Sequence, residues 1–208
     1  VRKDIVKLIG KVFRRLERIK NMVYSPINRL YLILHGASVG KKLRVRGILF
    51  VRNQGNLIVG NQVRINSAGW ANPIGAGERT FFQIMEKGRI VFEDGCAISN
   101  SAFTSASEIW CEKNVMIGSG CKVYDTDFHP LDAEQRIRGA NENATSKPIR
   151  ICENAFIGAN SMILKGVTIG KNSIIGAGSV VTKSVPENEI WAGNPARYIK
   201  KIIDGRCE

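Results

Sequence analysis

The sequence predicts an all-β solenoid, and three features predict it: a six-residue period without a slip from Ile151 to Pro186, asparagine or glycine at a fixed place in that period, and shorter copies of the pattern reaching back to Val39. In sixes the stretch runs ICENAF, IGANSM, ILKGVT, IGKNSI, IGAGSV, VTKSVP, led by Ile151, Ile157, Ile163, Ile169, Ile175 and Val181. Residues two apart on a strand share a face, so the first and fifth places of each hexad turn inward. The place before the fifth holds Asn154, Asn160, Gly166, Asn172 and Gly178, residue types that tolerate the strained backbone of a tight corner. An α-helix turns every 3.6 residues and would scatter residues six apart over different faces. Repeats of this kind stack as a parallel β-helix.

Residues 1–36 read as a basic helical arm. Ile5, Leu8, Ile9, Val12, Phe13, Leu16, Ile19 and Val23 follow helical spacing, with Lys7, Lys11, Arg14, Arg15 and Arg18 mainly between them. Ser25-Pro26 predicts a restart into a second, shorter helix, in which Ile27, Leu30, Tyr31 and Leu34 continue the stripe until Gly36. Such helices cover the exposed edge of the first coil or a neighbouring subunit, and the basic face adds an expected contact with an anionic membrane surface. The net charge is +13, yet residues 1–46 hold 13 Lys and Arg against Asp4 and Glu17 alone. A charge confined to one segment, without basic residues interleaved with aromatics along the solenoid, argues against a nucleic-acid binder.

The solenoid is expected over residues 37–190. Its pattern starts at Val39, Val59, Phe92, Cys111, Ile151 and Ile169, spaced by 20, 33, 19, 40 and 18 residues. Three hexads make one turn of a triangular coil, so about six coils stack, and the two long spacings are excursions near 67–83 and 129–150. Long loops on a regular scaffold are where function concentrates. The first, SAGWANPIGAGERTFF, is expected to pack on a partner or line an acceptor cleft. Residues 191–208 are expected to cap the open end, with Asn194-Pro195 starting a short helix.

Cys96, Cys111, Cys121, Cys152 and Cys207 are odd in number, and the first three fall on inward positions, which suits free thiols in a reducing cytosol. No apolar run approaches a membrane span and no signal-peptide pattern opens the chain. The expected location is cytoplasmic, peripheral at the inner membrane face if the arm binds lipid. With His35 and His129 as the two histidines, the three-histidine zinc site of a metallohydratase has no ligand set here.

IGANSMILKGVTIGKNSIIGAGSVVTKSVP followed by WAGNPAR resembles the hexapeptide-repeat acyltransferases, which include galactoside and maltose O-acetyltransferases. The resemblance implies a left-handed parallel β-helix, a handedness that spacing does not give. It implies acetyl-CoA as co-substrate, no metal, a saccharide acceptor, and a homotrimer with sites between adjacent prisms. His129, in YDTDFHP, matches the family's general base, which takes the proton of an acceptor hydroxyl as the oxygen attacks the acetyl carbonyl in a ternary complex. Eighteen residues after Cys111, it stands where the chain leaves the coil. An imidazole largely neutral at pH 7 suits that task. Asp127, Asp125 or Glu134 would orient it.

The family also places an acceptor-side asparagine upstream, and Asn100 stands one position from the matching place. Phe156 replaces a tryptophan usual in the sugar acetyltransferases. Matched one by one, Ala159 and Ala177 would meet the pantetheine through backbone groups, and Thr182, Lys183 and Arg197 the adenine and phosphate end. The expected function is O-acetylation of a sugar hydroxyl in surface-polysaccharide assembly. N-acetylation of an amino-sugar nucleotide and a non-catalytic scaffold are the alternatives.

Overall fold

The computed structural model describes residues 2–75, 79–203, 206 and 207. Twenty-one strands follow one long helix among these residues. Most of the strands stack into three parallel sheets, the faces of a triangular prism. Face A carries Ser38–Val39, Asn56–Val59, Arg89–Phe92, Glu108–Cys111, Ile149–Ile151 and Thr168–Ile169 in that order. Face B begins with Arg44–Gly47, Arg64–Ser67, Ala97–Ser99, Met116–Ile117, Phe156–Ile157 and Ile174–Ile175, and face C runs from Phe50–Asn53 to Val180–Val181.

The register is set by the repeat. Val39 lies beside Val59, Val59 beside Phe92, Phe92 beside Cys111, Cys111 beside Ile151 and Ile151 beside Ile169, so the six expected coil starts form one column. First and fifth hexad places alike are buried, from Ile151 and Ala155 through Ser161, Ser173 and Ser179 to Val185. Inward serines need partners; Ser161 and Ser179 both donate to the Gly176 carbonyl and Ser173 to that of Pro186. In the wider first coils three phenylalanines, Phe82, Phe92 and Phe103, meet at ring separations of 5.1–5.6 Å.

The corners behave as the residue types require. Asn154, Asn160, Gly166, Asn172 and Gly178 all have positive φ. Between faces A and B the corner amides form a ladder: Asn114 donates to Asn154, Asn154 to Asn172 and Asn172 to Asn188, at 3.2, 3.1 and 2.9 Å. Asn154 and Asn172 thus each donate to one neighbouring coil and accept from the other, which ties these coils together.

Two expectations fail at the ends. The arm is a single helix, Arg2–Leu34, with Pro26 inside it. Ser25 caps no second helix because its hydroxyl accepts the Val45 N–H at 3.0 Å. Asn28, fully buried, joins the same helix to the first coil, donating to the carbonyls of Tyr24 and Gly47 and accepting from the Leu49 N–H. These fixed contacts on either side of Pro26 offset its lost helical hydrogen bond. The prism side of the helix is Asn28, Tyr31 and Leu32, whereas Ile27, Leu30 and Leu34, expected to continue a packed stripe, are half or more exposed.

The C-terminal helix is also absent. Ala196–Ile203 is a strand, paired antiparallel to Glu189–Gly193, which extends face B beside Ile174–Ile175. Ile199, Ile202, Ile203 and Tyr198 favour a pleated surface, and an isolated helix so short is marginal in water. The hairpin, turning at Asn194-Pro195, covers the last coil, with Ala196 buried and Trp191 packed on the core. The boundary drawn at residue 190 therefore falls inside a strand.

Candidate active site

The two excursions leave from different edges of the prism. Residues 68–75 follow strand Arg64–Ser67 at the corner between faces B and C, and residues 125–148 follow Lys122–Tyr124 at the corner between faces C and A. The second contains a short helix, Ala133–Ile137, capped by Asp132, and a single turn, Asn141–Asn143.

His129 is exposed at the start of the second excursion. Its Nδ1 lies 2.7 Å from Asn141 Oδ1. An amide oxygen only accepts, so Nδ1 carries the hydrogen and Nε2 keeps its lone pair free. The group that meets the ring is Asn141, which the sequence reading missed. No local spacing points to it, because the turn that presents it twelve residues on is set by the fold of the excursion.

The three carboxylates expected to orient His129 are engaged elsewhere. Asp127 is held by Lys165 Nζ of the neighbouring coil at 2.6 Å. Its backbone N–H donates to the Thr145 carbonyl, closing the neck of the excursion. Asp125 points inward, accepting from the Ser105 hydroxyl and the N–H groups of Ala106 and Ser107 at 2.7–3.0 Å. Burial pushes its carboxyl above the usual range, against the pull of those hydrogen bonds. Glu134 meets Arg138 in an exposed pair, of the kind that contributes little.

Asn100 sits on the other edge, at the B–C corner, fully buried with φ 41. Its amide N–H groups donate to the carbonyl oxygens of Asn72 and Ala68, holding the first excursion. Turning the amide over would set its oxygen against those two carbonyls, so the orientation is fixed. Its Oδ1 has no partner among the described residues, nor has the buried Ser119 hydroxyl one coil along the same corner. Two buried polar atoms left open on one edge need an explanation.

Ala159 and Ala177 continue that B–C corner toward the C-terminal end. Coils pack closely there: a Cβ on Gly118 would stand 2.6 Å from the Ala159 nitrogen, and one on Gly158 2.5 Å from that of Ala177. The carbonyl of Ala159 accepts from Gly178, while among the described residues neither alanine's N–H finds a backbone acceptor. Thr182 and Lys183 are exposed at the C–A corner, on the His129 side, and Arg197 is exposed on the terminal hairpin opposite Ala192. Within one chain, then, the structure groups Asn100 with Ala159 and Ala177 on one edge, and His129 with Thr182 and Lys183 on another, separated by face C.

Residues 148–183 match the family model described as bacterial transferase hexapeptide (six repeats). The chain carries the bacterial transferase hexapeptide repeat. Around it the chain is 41% identical over 105 residues to a galactoside O-acetyltransferase of Lactococcus lactis, a match covering 50% of this chain and 49% of that protein. The chain spans about half the length of the curated relatives it matches. A galactoside acetyltransferase solved in complex with coenzyme A superposes with TM-score 0.58 at 29% identity, over 85% of this chain and 70% of that one. A hexapeptide-repeat acetyltransferase from Vibrio cholerae shares the fold, with TM-score 0.60 at 23% identity over 96% and 93% of the two chains. Asn100, Asn141 and His129 all lie outside the matched hexapeptide repeat.

Proposed function

We propose that the chain is an acetyl-CoA-dependent O-acetyltransferase acting on a sugar hydroxyl, with His129 as general base, in the assembly of a surface polysaccharide. The observation that carries this reading is the 2.7 Å contact from His129 Nδ1 to Asn141, which leaves Nε2 free to accept a proton. Nε2 removes the hydroxyl proton as the acceptor oxygen attacks the acetyl carbonyl carbon. The carbon–sulfur bond then breaks, and the proton passes from the imidazolium to the departing CoA sulfur. No acyl-enzyme is formed.

The free N–H groups of Ala159 and Ala177 fit the amides of a pantetheine arm, and Lys183 and Arg197 fit its phosphates. These groups stand on two edges of the prism, which supports a homotrimer of left-handed coils in which the B–C corner of one copy meets the C–A corner of the next. Face C lies between those corners. Its outer positions hold Phe50 and Phe81, stacked at 4.9 Å, with Tyr124, Met162, Leu164 and Val180 further along and Arg52, Gln83 and Lys122 among them, a mixed surface whose apolar part suits burial around a threefold axis.

The helical arm leaves Val12, Leu16, Ile19, Val23, Leu30 and Leu34 exposed, on the side opposite Asn28 and Leu32. Among the described residues no helix is long and apolar enough to cross a membrane. An exposed apolar stripe beside basic residues supports attachment to an anionic membrane surface, at the cytoplasmic face beside lipid-linked acceptors. The test of the activity is CoA release from acetyl-CoA across sugars, nucleotide sugars and amines. Release with sugar hydroxyls is expected, release with amino sugars alone would make the enzyme an N-acetyltransferase, and release with none would leave a scaffold.

A further inference from the structure

Face B carries a feature that neither the repeat nor the site above uses. At its N-terminal end, outward positions hold Arg44 and Arg46 on the first strand and Arg64 on the second. Arg44 and Arg64 are directly adjacent in register, and Arg46 is followed across the strands by Asn66 and Ser99. Asn66 Nδ2 donates to Ser99 Oγ at 2.9 Å, so both side chains are fixed on that surface. The arginines and this pair line a trough of about 390 Å³ together with Ile65, Ala97, Ile98 and Met116. A second hollow of about 410 Å³, sharing Arg44 and Arg64, continues it to Lys42 at the A–B corner.

The arrangement is unfavourable for the chain alone. Like charges directly across neighbouring strands repel, and among the described residues no carboxylate pairs with Arg44, Arg46 or Arg64. The inward neighbours Val45 and Ile65 supply the packing, so the fold has no need of arginine at the outward places. Elsewhere on the prism Arg89 is matched by Glu108 and Arg150 by Glu112, and the outward Arg52 stands over the Phe50 ring. Unmatched guanidinium groups side by side, with hydroxyl and amide donors at one end, form the donor set that recognises phosphate oxygens.

The trough also has a direction. Ser99 is the residue before Asn100, so its far end opens at the B–C corner where the acceptor is placed above. We propose that the trough binds the diphosphate of a phosphate-activated saccharide acceptor, with Arg44, Arg46 and Arg64 on its oxygens and the sugar delivered past Ser99 toward Asn100. This rests on the acyltransferase reading for its acceptor but not for its anion.

The experiment is titration of the full chain with inorganic pyrophosphate by calorimetry, for the wild type, Arg44→Gln, Arg64→Gln and the double variant. Affinity should fall about tenfold for each arginine removed and fall with rising salt. Removing one of two repelling charges should leave Tm equal or raised, which separates lost binding from lost folding. Unchanged affinity in the double variant, or loss of affinity in Arg197→Ala instead, would overturn the site. In a second arm, phosphatidylglycerol vesicles that bind through Arg44 and Arg64 without competition from pyrophosphate would assign the trough to a headgroup surface and overturn the diphosphate. Acetyl-CoA titrated into the same proteins separates the two proposals: its failure to bind removes the acyltransferase reading and leaves the pyrophosphate result standing.

Discussion

His129 and Asn141 are joined by a 2.7 Å hydrogen bond between Nδ1 and Oδ1, and the eleven residues of chain between them hold one on the other. The bond fixes both the ring and its tautomer. His129→Ala should lower kcat by ~10² to 10⁴ with acetyl-CoA binding retained, the range for a lost general base. Asn141→Ala should lower kcat by about 10- to 100-fold, as for other partners that orient a working imidazole, with KM for acetyl-CoA unchanged. Wild-type turnover in the histidine variant would remove it from the mechanism.

Lys183 and Arg197 are exposed cations near the end of the stack. Acetyl-CoA should raise Tm in proportion to the logarithm of its concentration above Kd. Each alanine variant should weaken that protection, and less so when dephospho-CoA is the ligand. Equal protection of all three proteins would move the cofactor away from the last coils.

Asp125 satisfies two backbone N–H groups at the neck of the second excursion. Asp125→Ala leaves these half-buried groups without that acceptor and should cost about 1–3 kcal/mol, read from chemical denaturation. A loss below experimental error would mean that water reaches the neck.

Burial pushes the Cys96 thiol up to about 12 and those of Cys111 and Cys121 upward as well. A thiol that remains protonated is a poor nucleophile. Burial raises the Cys152 thiol too, but it is partly exposed, so in the native protein at pH 8 a maleimide should modify it and leave the three buried thiols unmodified until denaturant is added. Early modification of Cys111 would reveal opening of the prism core.

The exposed stripe of the helical arm is testable by removing residues 1–23. Attraction of each basic residue to an anionic surface is worth ~1 kcal/mol, so the full chain should sediment with anionic vesicles at low salt, be released at high salt, and ignore neutral vesicles. The truncated chain should stay in the supernatant. If truncation instead breaks the oligomer and the full chain never sediments, the stripe packs against other copies.

The period of six determined the solenoid on its own, because inward aliphatics and a positive-φ corner residue are local requirements that each hexad meets separately. Hence Val39, Val59, Phe92, Cys111, Ile151 and Ile169 were legible as coil starts across two long interruptions, whereas the exit expected at His129 falls at Asp125, where the chain leaves strand Lys122–Tyr124. What the period could not decide lies wherever non-local contacts compete with local preference. Pro26 passes within one helix because Ser25 and Asn28 are engaged by the first coil, and Ala196–Ile203 is a strand because an open sheet edge offers hydrogen bonds that a two-turn helix cannot match. Asp127 is two residues from His129 in sequence, yet Lys165, on the neighbouring coil, holds it. Asn141 becomes the partner instead, because only the folded excursion brings it back over the imidazole.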